Sequence, residues 1–342
     1  MTTPRPGRPT GASAPTRVLV TGAGGFAGFA LALSLARRGQ RVRGLVHSPA
    51  RAAALAAAGV EPLTGDVRDA SLVREALEGV DLVYHLAAVF RRAGVPDSEY
   101  RSVHVDATRQ LVEASADAGV RRVVHCSTVG VHGDVNHEEP VAEDAPFNPM
   151  DIYQQTKLEG EWMAWETGRR TGVPLTIVRP SPIYGPGDRR LVKLIGGIAK
   201  RRFWLVGDGS PHFQMVYIDD LVEGFRLAAE TPGAAGRTYI ISGNEAPTLQ
   251  ELVTEIADVA QVPPPRLRLP LRPFAAAAAL CERLCVPLRI EPPIYRRRVS
   301  FFTSNRWFDT TRAGKELGYV PRMRLHSGLQ RTLSSYRRLG WV

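Results

Sequence analysis

The chain has 342 residues, of which 44% are hydrophobic and 23% charged, an ordinary globular composition that can bury the core of one generous α/β domain or of two domains sharing a cleft. Its formal net charge is +10, but the arginines fall in scattered pairs with one triplet, Arg296 to Arg298, and no basic arm carries interleaved aromatics, so nucleic-acid binding is not expected. Cys126, Cys281 and Cys285 are too few for a disulfide framework and point to a reducing, cytoplasmic setting; Cys281 and Cys285 stand four apart without a partner cluster, so no metal is expected.

Residues 1–16 hold four prolines and two glycines and no apolar run, which predicts a disordered tail that is neither a signal peptide nor a membrane anchor. A strand over 17–21 then runs into Gly22, Gly25 and Gly28 and an alanine-rich helix over 28–38. Strand, tight turn and helix start together suit a pyrophosphate, because the turn needs positive φ, close backbone approach and amides aimed at the anion. Further strands are predicted over 41–46, 60–64, 80–85, 121–127 and 175–179, each short and rich in Val and Leu, as strands buried on both faces are. Helices are predicted over 50–58, 71–78, 100–118 and 152–171, and Gly39, Gly59, Gly79, Gly119 and Gly172 follow the five helices as stop signals. The alternation predicts a Rossmann-type doubly wound parallel sheet.

After Pro180 prolines break the rhythm, which predicts a smaller C-terminal lobe beside the sheet's carboxyl edge. The division expected is a dinucleotide-binding domain with the catalytic residues over 17–180, and a substrate lobe, interleaved with the sheet, over 181–342. The apolar stretch 274–281 is far too short to span a membrane. Arg266, Arg268 and Arg272 beside it would suit a membrane surface, but it is read as a core helix.

Tyr153 and Lys157, in D-I-Y-Q-Q-T-K, stack one turn apart on a helix. A phenol with a pKa of about 10 is a poor base at neutral pH. A neighbouring ammonium, helped by a nicotinamide cation, favours the phenolate, which then exchanges a proton with a substrate hydroxyl while hydride moves. A hydroxyl that ends the strand V-V-H-C-S-T can bind the reacting oxygen, and chemistry alone leaves Ser127 and Thr128 both open.

Along nearly all its length the chain resembles an extended short-chain dehydrogenase/reductase of the NAD-dependent epimerase/dehydratase superfamily, closest to hydroxysteroid-dehydrogenase-like and dihydroflavonol-reductase-like members. The ordered motifs are T-G-A-G-G-F-A-G, G-D-V-R-D from Gly65, H-L-A-A from His85, S-T-V-G-V-H-G, Y-Q-Q-T-K, V-R-P-S-P-I-Y-G-P-G from Val178, V-Y-I-D-D from Val216 and the tail D-T-T-R-A-G-K-E-L-G-Y-V-P. The resemblance implies Thr128 as catalytic hydroxyl, Tyr153 as proton relay and Lys157 as ribose-binding lysine. It implies cofactor contacts at Gly22, Gly25, Phe26, Gly28, His47, Asp66, Val67, Ala87, Pro180 and Ile183, with a helix cap as the plain alternative for Asp66. It also implies a homodimer formed through helices that include the one bearing Tyr153.

Three departures shape the functional reading. Val46, followed by His47, stands where NAD-preferring members carry a ribose-binding acid, and with Arg43 and Arg51 nearby this favours NADP over NAD. His104 replaces an asparagine of the relay behind the lysine, and is expected to hydrogen-bond there and titrate near neutral pH. Phe213 replaces the arginine that grips sugar-nucleotide phosphates, which favours an apolar substrate. Phe90, Tyr184 and Phe213 are expected to line the substrate pocket, and Trp204 to pack in a core. The expected function is an NAD(P)-dependent oxidoreductase that interconverts a secondary alcohol and a ketone on a steroid-like or other natural-product small molecule. A nucleotide-sugar epimerase or dehydratase, and a dinucleotide sensor without turnover, are the alternatives.

Overall fold

The computed structural model describes residues 16–90, 94–134, 138–285 and 296–342, with the side chains of Arg296 to Arg298 excepted. Of the expected tail only Thr16 lies within the described residues.

The first half runs β1 (Arg17–Thr21), α1 (Phe26–Arg37), β2 (Arg41–Val46), α2 (Pro49–Ala57), β3 (Glu61–Thr64), α3 (Ala70–Leu77) and β4 (Leu82–His85). Then come α4 (Asp97–Arg101), a π-helical turn (Ser102–Asp106), α5 (Ala107–Asp117), β5 (Arg122–Cys126), α6 (Ile152–Thr171) and β6 (Leu175–Pro180). Gly39, Gly59, Gly79, Gly119 and Gly172 all have φ between +67° and +81°, so each closes its helix in the left-handed region where a side chain is strained. The single helix expected over 100–118 is continuous from α4 into α5, with the π turn inserted in it carrying His104. The turn is pressed against α6, where a Cβ on Gly160 would lie 2.3 Å from the His104 carbonyl oxygen.

The second half runs β7 (Ile183–Tyr184), α7 (Val192–Ala199), β8 (Leu205–Val206), β9 (Val216–Tyr217), α8 (Ile218–Glu230), β10 (Arg237–Ile241), α9 (Leu249–Ala260) and β11 (Arg268–Leu269), then α10 (Leu271–Cys285), α11 (Arg296–Thr303), α12 (Thr311–Leu317) and α13 (Leu325–Arg338). The main sheet has seven strands in the order β10-β6-β5-β4-β1-β2-β3, all parallel. Alternation along β1 explains why its strands look uniformly apolar. Val18 and Val20 pack in the cluster that includes Leu31, Leu35 and Phe225 of α1 and α8, whereas Leu19 packs with Val73, Leu111 and Ala164 on the opposite face. The strand order reverses beside β1, between β2 and β4, which opens the crevice where such sheets bind ligands.

β10 was not among the strands expected from the sequence. It pairs with β6 from Arg237 opposite Thr176 to Ile241 opposite Pro180, and so extends the sheet into the second half of the chain. A separate lobe core gathers Ile195, Leu252, Leu329 and Tyr336 from α7, α9 and α13. The expectation that 274–281 forms a core helix does not hold: Ala278 is the one buried residue of α10.

Candidate functional site

The glycine turn leads from β1 into α1. Gly22 takes φ +68°, and a Cβ there would lie 2.6 Å from the Leu86 carbonyl oxygen. A Cβ on Gly28 would lie 2.3 Å from the Gly22 carbonyl oxygen. Gly25 caps α1 with no side chain in the way, so the first amides of the helix face the groove. The cradle therefore fits a pyrophosphate by shape and by field. Gly28→Ala is expected to displace the turn and weaken dinucleotide binding roughly 100-fold, since such sites tolerate shifts of only about 0.5 Å; titration of intrinsic fluorescence would read this.

The groove that begins at this turn is also lined by Phe26, Phe90, Ser127, Thr128, Tyr153, Lys157, Pro180, Ile183 and Phe213. Asp151 caps α6 by accepting from the Gln154 amide at 2.9 Å, which fixes the helix that carries Tyr153 and Lys157. Lys157 is buried, and its Nζ donates to the Cys126 carbonyl at the end of β5 at 2.6 Å. Burial pulls the Lys157 ammonium below lysine's usual range. Thr128 Oγ1 accepts from the Gly130 amide at 3.0 Å, which orients the hydroxyl and leaves its proton to donate. Ser127 Oγ is buried, with no hydrogen-bond partner among the described residues.

His104 does not titrate near neutral pH. Its pKa is lowered to about 2, mainly by burial and then by Lys157. Nε2 accepts from the Val89 amide at 3.0 Å and Nδ1 meets Thr156 Oγ1 at 2.8 Å, while the Thr156 hydroxyl donates to the Ile152 carbonyl at 2.7 Å. These partners define a neutral tautomer with its proton on Nδ1. The ring also packs edge-on against Tyr153 at 5.6 Å between centroids, and Phe90 packs on Tyr153 at 5.3 Å. His104 thus pins the strand-end loop and backs the tyrosine.

Other expected contacts sort differently. Asp66 does not cap a helix; Asp69 caps α3, while Asp66 pairs with Arg68, which holds its carboxyl below the usual range. Ala87 donates its amide to Thr21 Oγ1 at 3.2 Å, and Val67 is buried in the core. His47 lies exposed near Asp66. Arg43 is engaged by Glu61 and by the carbonyls of Glu75 and Ala76, whereas Arg51 lines the groove, stacks on Phe29 and passes beside Gly24. Tyr184 is not a pocket residue: it is 2% exposed in the lobe core, with its ring on Tyr217 and its hydroxyl against Gly328. Trp204 is not a core residue but 57% exposed. His132 is buried, between the Pro146 carbonyl and Arg179.

Sequence reasoning missed Arg190 and Arg306. Arg190 is anchored by Asp188 at 2.7 Å and by the Ile183 carbonyl, and it stacks over both Phe26 and Phe90, at the junction of turn and groove. Arg306 stacks on Phe213 at 4.7 Å. Its guanidinium donates to the carbonyls of Ser300, Phe301 and Ser304 at the end of α11. A helix C-terminus attracts such a cation, but distance in sequence hides the pairing.

The model of the NAD dependent epimerase/dehydratase family matches residues 18–242. A 2-alkyl-3-oxoalkanoate reductase of Stenotrophomonas maltophilia is 32% identical over 330 residues, covering 93% of this chain and 99% of that protein. A 3beta-hydroxysteroid-dehydrogenase/decarboxylase isoform 2 of Arabidopsis thaliana is 30% identical over 82% of this chain, which spans only 52% of the plant protein. A solved structure described as gox2253 superposes with a TM-score of 0.80 at 30% identity, covering 95% of this chain and 99% of that one.

Proposed function

The chain belongs to the NAD-dependent epimerase/dehydratase family, an extended short-chain dehydrogenase/reductase, and from that premise we propose that it reduces or forms a ketone on a largely apolar small molecule. The observation that carries this reading is the wall of the groove. Phe90, Phe213 and Phe301 line it, and Arg306, which lines it too, stacks on Phe213 and donates to the carbonyls of Ser300, Phe301 and Ser304.

A bound nicotinamide supplies or receives the hydride. Everything else falls to side chains of this chain. The Thr128 hydroxyl keeps its proton and donates a hydrogen bond to the substrate oxygen, which fixes where that oxygen sits. Tyr153 gives a proton to that oxygen in reduction and takes it back in oxidation. Lys157 places a positive charge beside the phenol and holds the ribose. With His85 lowered to about 3 and His104 to about 2, chiefly by burial, no imidazolium competes with that charge.

NADP is favoured over NAD. Val46 leaves no carboxylate to repel a 2′-phosphate, and Arg51 lines the same end of the groove as Gly24. A cytoplasmic homodimer is the assembly proposed, supported by Trp162, 55% exposed on α6.

The test offers the purified chain apolar ketones with NADPH or NADH, and sugar nucleotides with the oxidised cofactors. Net loss of reduced-nicotinamide absorbance with a ketone, faster with NADPH, is the expected result. Conversion of a sugar nucleotide without net absorbance change would overturn it in favour of epimerase chemistry.

A further inference from the structure

We propose that the outward face of α10, together with the neighbouring Trp204–Leu267 pair, is a docking surface for an anionic lipid bilayer. Phe274 turns inward and packs against Phe302 of α11. Outward, Pro273, Ala276, Ala277, Leu280 and Leu284 form one exposed stripe at helical spacing. Leu280 and Leu284 are 58% and 59% exposed, unusual for two leucines on successive turns. The helix follows directly on β11, whose neighbour β8 brings Trp204 beside Leu267, with the Leu205 amide donating to the Leu267 carbonyl at 3.3 Å. Both of these side chains are exposed.

Charge identifies the occupant. Lys200, Arg201, Arg202, Arg266, Arg268, Arg272 and Arg283 are all exposed on these segments, against two acids, the half-buried Glu282 and Asp208, whose carboxylate feels Arg268. Among the described residues none of the seven forms a salt bridge of the kind that joins Arg38 to Glu223 or Arg226 to Glu230. An apolar stripe flanked by unbalanced cations, with a tryptophan at its edge, matches the interface of an anionic bilayer, where apolar side chains enter the acyl boundary and arginines meet headgroups. A second copy of the chain would bring seven cations against seven, and a nucleic acid would leave the leucines unburied. Both fit worse.

Position adds a purpose. Glu282 of α10 lines the groove together with Ser300, Phe301 and Ser304 on and just after α11. It stands two residues from both Leu280 and Leu284, so the helix turns one face to the groove and the opposite face outward. Resting on the apolar-substrate reading, this leaves one helix between the lipid that would dissolve the substrate and the groove that Tyr153 lines.

The experiment is co-sedimentation of the full chain, without cofactor or substrate, with phosphatidylcholine vesicles and with vesicles that also contain phosphatidylglycerol. Binding to the anionic vesicles is expected to be at least about 10-fold stronger and to fall as salt is raised. The double variant Leu280→Glu/Leu284→Glu is expected to lose roughly 100-fold of it, and Arg266→Glu/Arg268→Glu about 10-fold or more. Unchanged dinucleotide binding by both variants shows that they fold. Equal sedimentation with neutral and anionic vesicles, no sedimentation, or a leucine variant that sediments like the parent overturns the proposal. So does an oligomer of the parent that the leucine variant converts to monomer, since the face would then be a self-interface. Because the readout needs no turnover, its failure leaves the ketoreductase reading untouched, and failure of that reading leaves the membrane contact standing.

Discussion

Tyr153→Phe is expected to cut kcat by about 1,000-fold while leaving cofactor affinity nearly unchanged. Phenylalanine keeps the ring that packs between Phe90 and His104, so α6 and the loop after β4 hold their places. It removes only the oxygen that carries the proton. The cofactor keeps its cradle at Gly22 and Gly28 and its ribose partner at Lys157, which the Cys126 carbonyl positions independently of the tyrosine. The same substitution separates an enzyme of this family from a dinucleotide sensor without turnover. An enzyme loses turnover and retains a dinucleotide-induced thermal shift; a sensor loses nothing, because its work is binding alone. Measuring kcat and the shift on one preparation decides between them, and a variant with full turnover would remove Tyr153 from the chemistry altogether.

The sheet was legible because its information is local. Each strand of the first half ends at an apolar run, and each helix stops at a glycine whose positive φ the structure bears out, from Gly39 to Gly172. β10 was hidden for the opposite reason. The strand R-T-Y-I-I is as apolar as the others, but it follows a proline-broken stretch and pairs with β6 across 61 positions, from Thr176 to Arg237. The neighbours of a side chain are a tertiary property, and there the sequence misled. Tyr184 sits next to Ile183, which lines the groove, yet strand alternation turns it into the lobe core. Trp204 looks like core by composition and stands in solvent. His104 carried a visible motif departure, but its neutrality depends on burial, which the motif does not encode.

That burial has a second consequence, for stability. His85, His104 and His125 lie together behind Lys157, all about 1% exposed. The pKa of His85 is lowered to about 3 and that of His104 to about 2, while His125 is held well below 6.5, burial being the largest cause in each case. Unfolded, the three titrate near 6.5; folded, they stay neutral far into acid. Above pH 6.5 neither state takes up these protons and stability does not depend on them. Below it the unfolded chain binds protons that the folded chain refuses, so stability falls with pH until the folded values are reached. Each histidine contributes about 1.4 kcal/mol per pH unit in that window, so by pH 5.5 the three together are expected to remove roughly 4 kcal/mol. Urea unfolding at about pH 7.5 and pH 5.5 would measure this. His125 isolates the cause, since neither ring nitrogen has a hydrogen-bond partner among the described residues. His125→Phe should therefore stabilise the protein at neutral pH and make the acid loss about a third shallower, because one proton fewer is taken up on unfolding. An unfolding midpoint that does not move between those two pH values would mean that the three rings are not buried neutral, and the single positive charge assigned to Lys157 would lose its basis.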